Sequence, residues 1–216
     1  MLEILQNIYD SIARGDMKNA TAFTTKALED GVSAEEILEK GMLPSMDMIG
    51  EKFKNNEIYI PEVLLAARAM NKALLILRPR LMAAGIEPIG RAVIGTVKGD
   101  SHDIGKNLVK LMLESKGIEV FDLGADVSKE RFYEAFIEHK ADIVACSALL
   151  TTSMPEMPAL IDYFVEKYAR EDVIIMVGGA PITEDFAKSI GADLYHDDAA
   201  SAAVLALKAL KNKKSA

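Results

Sequence analysis

Ala92-Val93-Ile94-Gly95-Thr96-Val97 is an apolar run of strand length, followed closely by Gly99-Asp100-Ser101-His102-Asp103-Ile104-Gly105 and then by a helical pattern from near Lys106. A buried strand, a glycine-bearing loop and a helix in this order form the opening unit of a parallel α/β sheet. A neutral imidazole in such a loop can point out of the top of the sheet. Asp100, two residues before His102, can accept its second ring N–H and fix the tautomer, which is how a protein presents a metal ligand. The same residues have plainer uses, Asp103 as an N-cap and Gly99 and Gly105 for turn geometry and close packing.

Downstream, apolar runs at Ile118 to Leu123, Ile143 to Ala148, Val173 to Val177 and Asp193 to Tyr195 alternate with helical patterns. The alternation predicts a doubly wound, five-stranded parallel sheet of order 2-1-3-4-5 over residues 92–212. In that order the ends of strands 1, 3 and 4 share the ligand-binding edge. The third strand leads into Cys146-Ser147-Ala148-Leu149-Leu150-Thr151-Thr152-Ser153, dense in hydroxyls, and the fourth into Gly178-Gly179. Missing side chains there let a ligand lie against the backbone, although helix capping and loop exit are the plainer readings.

Upstream, residues 1–84 carry helical periodicity only, as in Leu5, Ile8 and Ile12, and predict an all-α bundle of four or five helices. Ser33 and Glu36 have capping-box spacing, and Pro61 opens a long apolar helix in which Pro79 is expected to disturb the last turns. Two glycines and a proline in Gly85-Ile86-Glu87-Pro88-Ile89-Gly90 mark a linker and hinge at 85–91, and residues 213–216 read as a frayed tail.

The 216 residues are half hydrophobic and carry a net charge of −8, enough for a packed core and unfavourable for nucleic acid. A single cysteine, Cys146, fits a reducing compartment. Met1-Leu2-Glu3-Ile4 lacks the features of a signal peptide, and no apolar stretch is long enough to span a bilayer. The expectation is a cytoplasmic protein.

Taken together, Asp-x-His-x-x-Gly at 100–105, Ser-x-Leu at 147–149 and Gly-Gly at 178–179 resemble the signature of cobalamin-binding domains. The helical half, notably Glu57-Ile58-Tyr59-Ile60-Pro61-Glu62-Val63 and Ala66-Ala67-Arg68-Ala69-Met70, is similar to the cap of the methyltransferase branch, as in the cobalamin module of methionine synthase. The whole chain most resembles the free-standing corrinoid proteins of anaerobic one-carbon metabolism. That resemblance implies a non-catalytic subunit carrying a methyl group on the cobalt of cobalamin or a related corrinoid. The group would pass from a substrate:corrinoid methyltransferase to a second methyltransferase with a folate or thiol acceptor, and a reductive activase would be a further partner.

The resemblance also implies a base-off corrinoid with His102 as the lower axial cobalt ligand, Asp100 bonded to it and Ser153 extending the relay. Ser101, Asp103, Ile104 and Gly105 complete that loop against the cofactor. Ser147 and Thr151 would line the slot for the displaced nucleotide tail, Leu149 would pack beside it, Gly178-Gly179 would let it run deep, and Tyr59 would lie over the upper face. Two alternatives share the signature. A cobalamin-dependent regulator is disfavoured by the acidic charge and the lack of a helix-turn-helix pattern, and a mutase small subunit by the helical cap. A dinucleotide is disfavoured because Asp100 stands where a phosphate-cradling turn would be. The methyl donor, whether methanol, a methylamine, glycine betaine or a methoxylated aromatic, is left open.

Overall fold

The computed structural model describes residues 3–215, with side chains as far as 213; Met1, Leu2 and Ala216, which belong to the expected helical half and tail, lie outside the described residues. The chain divides into two compact units. One extends to Glu87 and includes Glu114–Gly117, and the other holds Pro88–Leu113 and the chain from Ile118 onward.

The first unit is helical: α1 (Glu3–Ala13), α2 (Met17–Glu29), α3 (Ala34–Glu36), a π-helical stretch Ile37–Met42, α4 (Leu43–Lys54) and α5 (Ile60–Ala83). Its core includes the expected stripe Leu5, Ile8 and Ile12 of α1, buried together with Ala66, Ala69, Met70, Ala73 and Leu77 of α5, and α2 packs on both helices. Asp16 accepts from Asn19 N–H at 3.0 Å and Ser33 from Glu36 N–H at 3.1 Å, each giving an otherwise unpaired first-turn donor its acceptor. The π-turn has a local cause. Pro44 has no N–H for the Lys40 carbonyl, and Leu43 N–H goes instead to Leu38, five residues back. Pro79 lies within α5 without ending it.

The second unit is a parallel sheet of four strands in the order β2-β1-β3-β4, with β1 at Gly90–Thr96, β2 at Ile118–Asp122, β3 at Ile143–Ser147 and β4 at Ile174–Gly178. Helices α6 (Ile104–Ser115), α7 (Lys129–His139), α8 (Glu156–Glu166), α9 (Glu184–Ser189) and α10 (Ala199–Ser215) alternate with the strands and close the chain. Val93, Val144 and Ile175 join Phe132, Phe136, Leu160 and Phe164 in one apolar core. Gly95 leaves room for Phe132, since a Cβ there would stand 2.8 Å from the ring. Burying that phenyl group contributes about 2–3 kcal/mol.

The expected fifth strand does not form. Only Leu194 bridges to Met176, because the Asp193 side chain takes the place of a strand partner. Its Oδ2 accepts from Ile175 N–H at 2.7 Å, using the donor that a backbone carbonyl of a fifth strand would need, and its Oδ1 accepts from Arg170 at 2.9 Å. The alternation of strand and helix is therefore correct, and the strand count of five and the order 2-1-3-4-5 are corrected to four and 2-1-3-4.

Register decides where the site lies. Thr96 pairs with Ser147 and Ser147 with Gly178, so the last residues of β1, β3 and β4 form one row at the carboxyl edge of the sheet. Sequence order reverses between β1 and β3, the place where open α/β sheets bind ligands.

Cys146 lies just below this row, and burial pushes its thiol up to about 12. The native protein is expected to resist iodoacetamide at pH 8 and to react fully once denatured, as read by intact mass. Rapid alkylation of the native chain would show that β3 opens.

Candidate functional site

The site grows from one buried carboxylate. Asp100 is 1% exposed, and a charge so deep must be matched by hydrogen bonds. Its Oδ1 accepts from His102 N–H at 3.0 Å and lies 2.8 Å from His102 Nδ1. Its Oδ2 accepts from Leu149 N–H at 2.7 Å, Leu150 N–H at 3.0 Å and Ser153 Oγ at 2.8 Å. Burial pushes this carboxyl up, but the bonds from Leu150, His102 and Leu149 outweigh it and hold the group well below the usual carboxylate range.

An ionised Asp100 only accepts, so the short contact requires a proton on His102 Nδ1 and leaves Nε2 as the ring atom able to act as a ligand in the neutral tautomer. Nε2 has no hydrogen-bond partner among the described residues, and the His102 side chain is 49% exposed. The arrangement is an oriented ring nitrogen without a protein partner among the described residues, on a half-exposed side chain. Thr96, fully buried at the end of β1, adds a further tie by donating its hydroxyl to the His102 carbonyl at 2.9 Å.

The remaining residues singled out in the sequence fall into distinct places. Ser153 is buried in the carboxylate cluster, its hydroxyl also 2.8 Å from the Leu150 carbonyl. Leu149 supplies a backbone donor and leaves its side chain 42% exposed, as Leu150 does at 39%. Ser147 is half-buried, Thr151 and Ser101 are exposed, and Ile104 is 79% exposed. Asp103 accepts from the Asn107 side chain at 3.0 Å. Tyr59 belongs to the helical unit, caps the start of α5 and is 71% exposed. Thr96 and Leu150 were missed from the sequence: Thr96 reads there as a strand residue, and Leu150 acts through its main chain, which leaves no side-chain signal.

Gly178 and Gly179 divide the work. A Cβ on Gly178 would meet nothing within 4 Å, so the space beside it is open. A Cβ on Gly179 would stand 1.8 Å from the Ala148 carbonyl oxygen, at a φ of +132°. Gly179 is thus required by the packing of two loops, and Gly178 leaves room.

Comparison with known proteins identifies the family. Residues 90–205 match the B12 binding domain family, and residues 4–78 match a second model described as B12 binding domain. The chain belongs to the B12-binding corrinoid proteins, and its cofactor is cobalamin or a related corrinoid. It is 40% identical to trimethylamine corrinoid protein 1 of Methanosarcina acetivorans, over 91% of this chain and 92% of that one. With dimethylamine corrinoid protein 2 of the same organism it also shares 40% identity, over 98% of each. Among solved structures, the methanol:cobalamin methyltransferase complex MtaBC of Methanosarcina barkeri matches with a TM-score of 0.88 at 25% identity, covering 97% of this chain and 80% of that one.

The residues present fit a corrinoid. The outward Nε2 suits an axial nitrogen, the exposed Ile104, Leu149 and Leu150 suit an apolar macrocycle, and the opening beside Gly178 suits a group threaded into the fold. Among the described residues no helix is long and apolar enough to cross a membrane. Elsewhere His196 Nδ1 lies 2.6 Å from Asp197 and 3.0 Å from Asp198, with His196 and Asp198 half-buried and Asp197 exposed.

Gly179→Ala is expected to destabilise the protein by more than about 3 kcal/mol, since both φ and the Ala148 carbonyl oppose a methyl group. Gly178→Ala should stay within about 0.5 kcal/mol of the parent. Urea denaturation of the cofactor-free proteins distinguishes the two, and equal losses would contradict the division of roles.

Proposed function

We propose that this chain is a methyl carrier that receives a methyl group from a substrate-specific methyltransferase and presents it to a second methyltransferase with a folate or thiol acceptor. A reductive activase is the third partner, and the chain itself performs no catalysis on the methyl donor. When bound, the corrinoid supplies a cobalt centre that accepts and releases the methyl group. The observation that carries this reading is the His102 nitrogen left free by the Asp100 cluster, combined with relatives named trimethylamine and dimethylamine corrinoid proteins. The neighbour titled a methanol:cobalamin methyltransferase complex supports a methyltransferase partner.

In this proposal the corrinoid is held base-off, with His102 Nε2 as the lower cobalt ligand. Asp100 keeps the proton on Nδ1, and Ser153 gives that carboxylate a hydroxyl neighbour through which proton changes are felt. Ser101, Asp103, Ile104 and Gly105 form the loop surface against the macrocycle. Ser147, Leu149, Thr151 and Gly178 line the slot for the nucleotide tail, and Gly179 holds the Ala148 loop that borders it. The helical unit supplies the cap, to which Tyr59 contributes an exposed ring. The relatives do not select a methyl donor, because the trimethylamine and dimethylamine proteins are equally similar to this chain.

The test is EPR of the Co(II) state of the cobalamin-loaded protein at natural abundance and with nitrogen-15-labelled protein. Hyperfine splitting that changes with the protein label is expected in the parent and absent in His102→Ala; identical parent and variant spectra would remove His102 as ligand. Asp100→Asn should be nearly as damaging. Its amide oxygen would remain with the donors of residues 149–153, and its NH2 would donate to Nδ1, moving the ring proton onto Nε2 and closing the ligand atom. Full protein-nitrogen splitting in Asp100→Asn would sink this tautomer account.

A further inference from the structure

The carboxylate of Asp100 is held from the β3 side, by Leu149, Leu150 and Ser153, but it can aim an imidazole only if its own backbone is fixed. That backbone is held from the β2 side. The connection between β2 and α7, residues 123–128, lies along the His102 loop and meets it repeatedly. Asp126 N–H donates to the Asp100 carbonyl at 3.0 Å, and Asp126 Oδ1 accepts from Gly99 N–H at 2.7 Å. Thr96 N–H donates to Gly124 O at 2.9 Å, and Val127 N–H to Thr96 O at 2.9 Å. Thr96 in turn holds the His102 carbonyl.

Beyond the histidine the same strand end takes hold again. Lys106 is 2% exposed, and its Nζ donates to Asp122 at 2.6 Å and to Asn107 at 2.7 Å. Asp122 also accepts from Gly124 N–H at 2.9 Å, so the residue that anchors Lys106 shapes the turn leading to Asp126. The loop is therefore tied at Thr96, Gly99 and Asp100 before His102 and at Lys106 after it.

Asp126 is the unusual member. It has a φ of +56°, where Asp and Asn are tolerated far better than most L-residues, and it is exposed. An exposed side chain fills no core, so its reach to Gly99 is its main structural contact. Gly124-Ala125-Asp126 lies in the short connection between β2 and α7, and nothing in its sequence points to a histidine more than twenty residues earlier.

We propose that Asp126 is a positioning residue for His102, fixing the Gly99–Asp100 backbone from the β2 side so that the imidazole is held ready for cobalt. The inference rests on the proposed ligation by His102 and extends it to a residue that touches neither the imidazole nor the Asp100 carboxylate. Asp126 and Ser153 then act as a pair. One holds the main chain of Asp100 and the other its side chain, from neighbouring loops on either side of β1.

The experiment compares Asp126→Gly, which keeps the positive φ but loses the acceptor, with Asp126→Asn, which keeps both. Two quantities are read on each full-length protein: amide hydrogen exchange at Gly99 and His102 without cofactor, and label-dependent nitrogen hyperfine intensity of the Co(II) form after loading with cobalamin. Asp126→Gly should speed exchange at both amides and shift the equilibrium between His102-ligated and unligated cobalt by about tenfold, with Asp126→Asn restoring both to near the parent. Faster exchange with unchanged ligation would overturn the positioning role and leave a merely structural one. Unchanged exchange, or a loss of ligation that Asn does not restore, would overturn it as well. If the parent itself shows no protein nitrogen on cobalt, the ligation reading fails and the positioning role falls with it, an outcome distinct from a parent and an Asp126→Gly variant that ligate equally.

Discussion

The carboxylate of Asp100 organises the carboxyl edge of the sheet. It is a buried charge, and its stability depends on donors arriving together from two loops that are about fifty residues apart in sequence. Remove it and the N–H groups of Leu149 and Leu150 and the hydroxyl of Ser153 lose their acceptor, each orphaned group costing about 1–3 kcal/mol. The same five contacts that hold it ionised set the proton on His102 Nδ1. Fold stability and the orientation of the His102 ring thus rest on one set of hydrogen bonds, and the loop cannot relax without losing both.

The sheet makes that convergence possible. Parallel pairing sends every strand out at the same edge, and the reversal of order between β1 and β3 lets the two following loops splay around a shared opening. The register row Thr96, Ser147 and Gly178 is the floor of that opening. Glycine has different work at each position near it. Gly95 admits Phe132 to the core, Gly178 leaves space at the edge, and Gly179 lets one loop pass tightly under the carbonyl of Ala148.

In the methyl-carrier role proposed above, this construction separates two demands. On that proposal the sheet edge has to be rigid enough to keep one nitrogen in place, whereas recognition of a methyl donor is left to the methyltransferase partner. Equal similarity to trimethylamine and dimethylamine relatives is in keeping with that separation. Asp193 shows the same economy at the free edge of β4, where its side chain joins the main chain of Asp193 and Leu194 in taking up the β4 hydrogen-bonding groups without a fifth strand.

Much of this was legible in the chain alone. The alternation of apolar runs and helical patterns specified a parallel α/β unit after a helical one, because side-chain periodicity is a local property. Asp100, His102 and the glycines stand in the chain as types at fixed spacing, and Ser153 entered through the resemblance to cobalamin-binding domains. Tertiary structure decided the rest: that Asp193 caps the sheet, that Gly179 and not Gly178 is forced by packing, and that Thr96, Leu150 and Asp126 hold the histidine loop. Those contacts use backbone atoms or join residues far apart in sequence, and only the folded sheet brings such groups within hydrogen-bond reach.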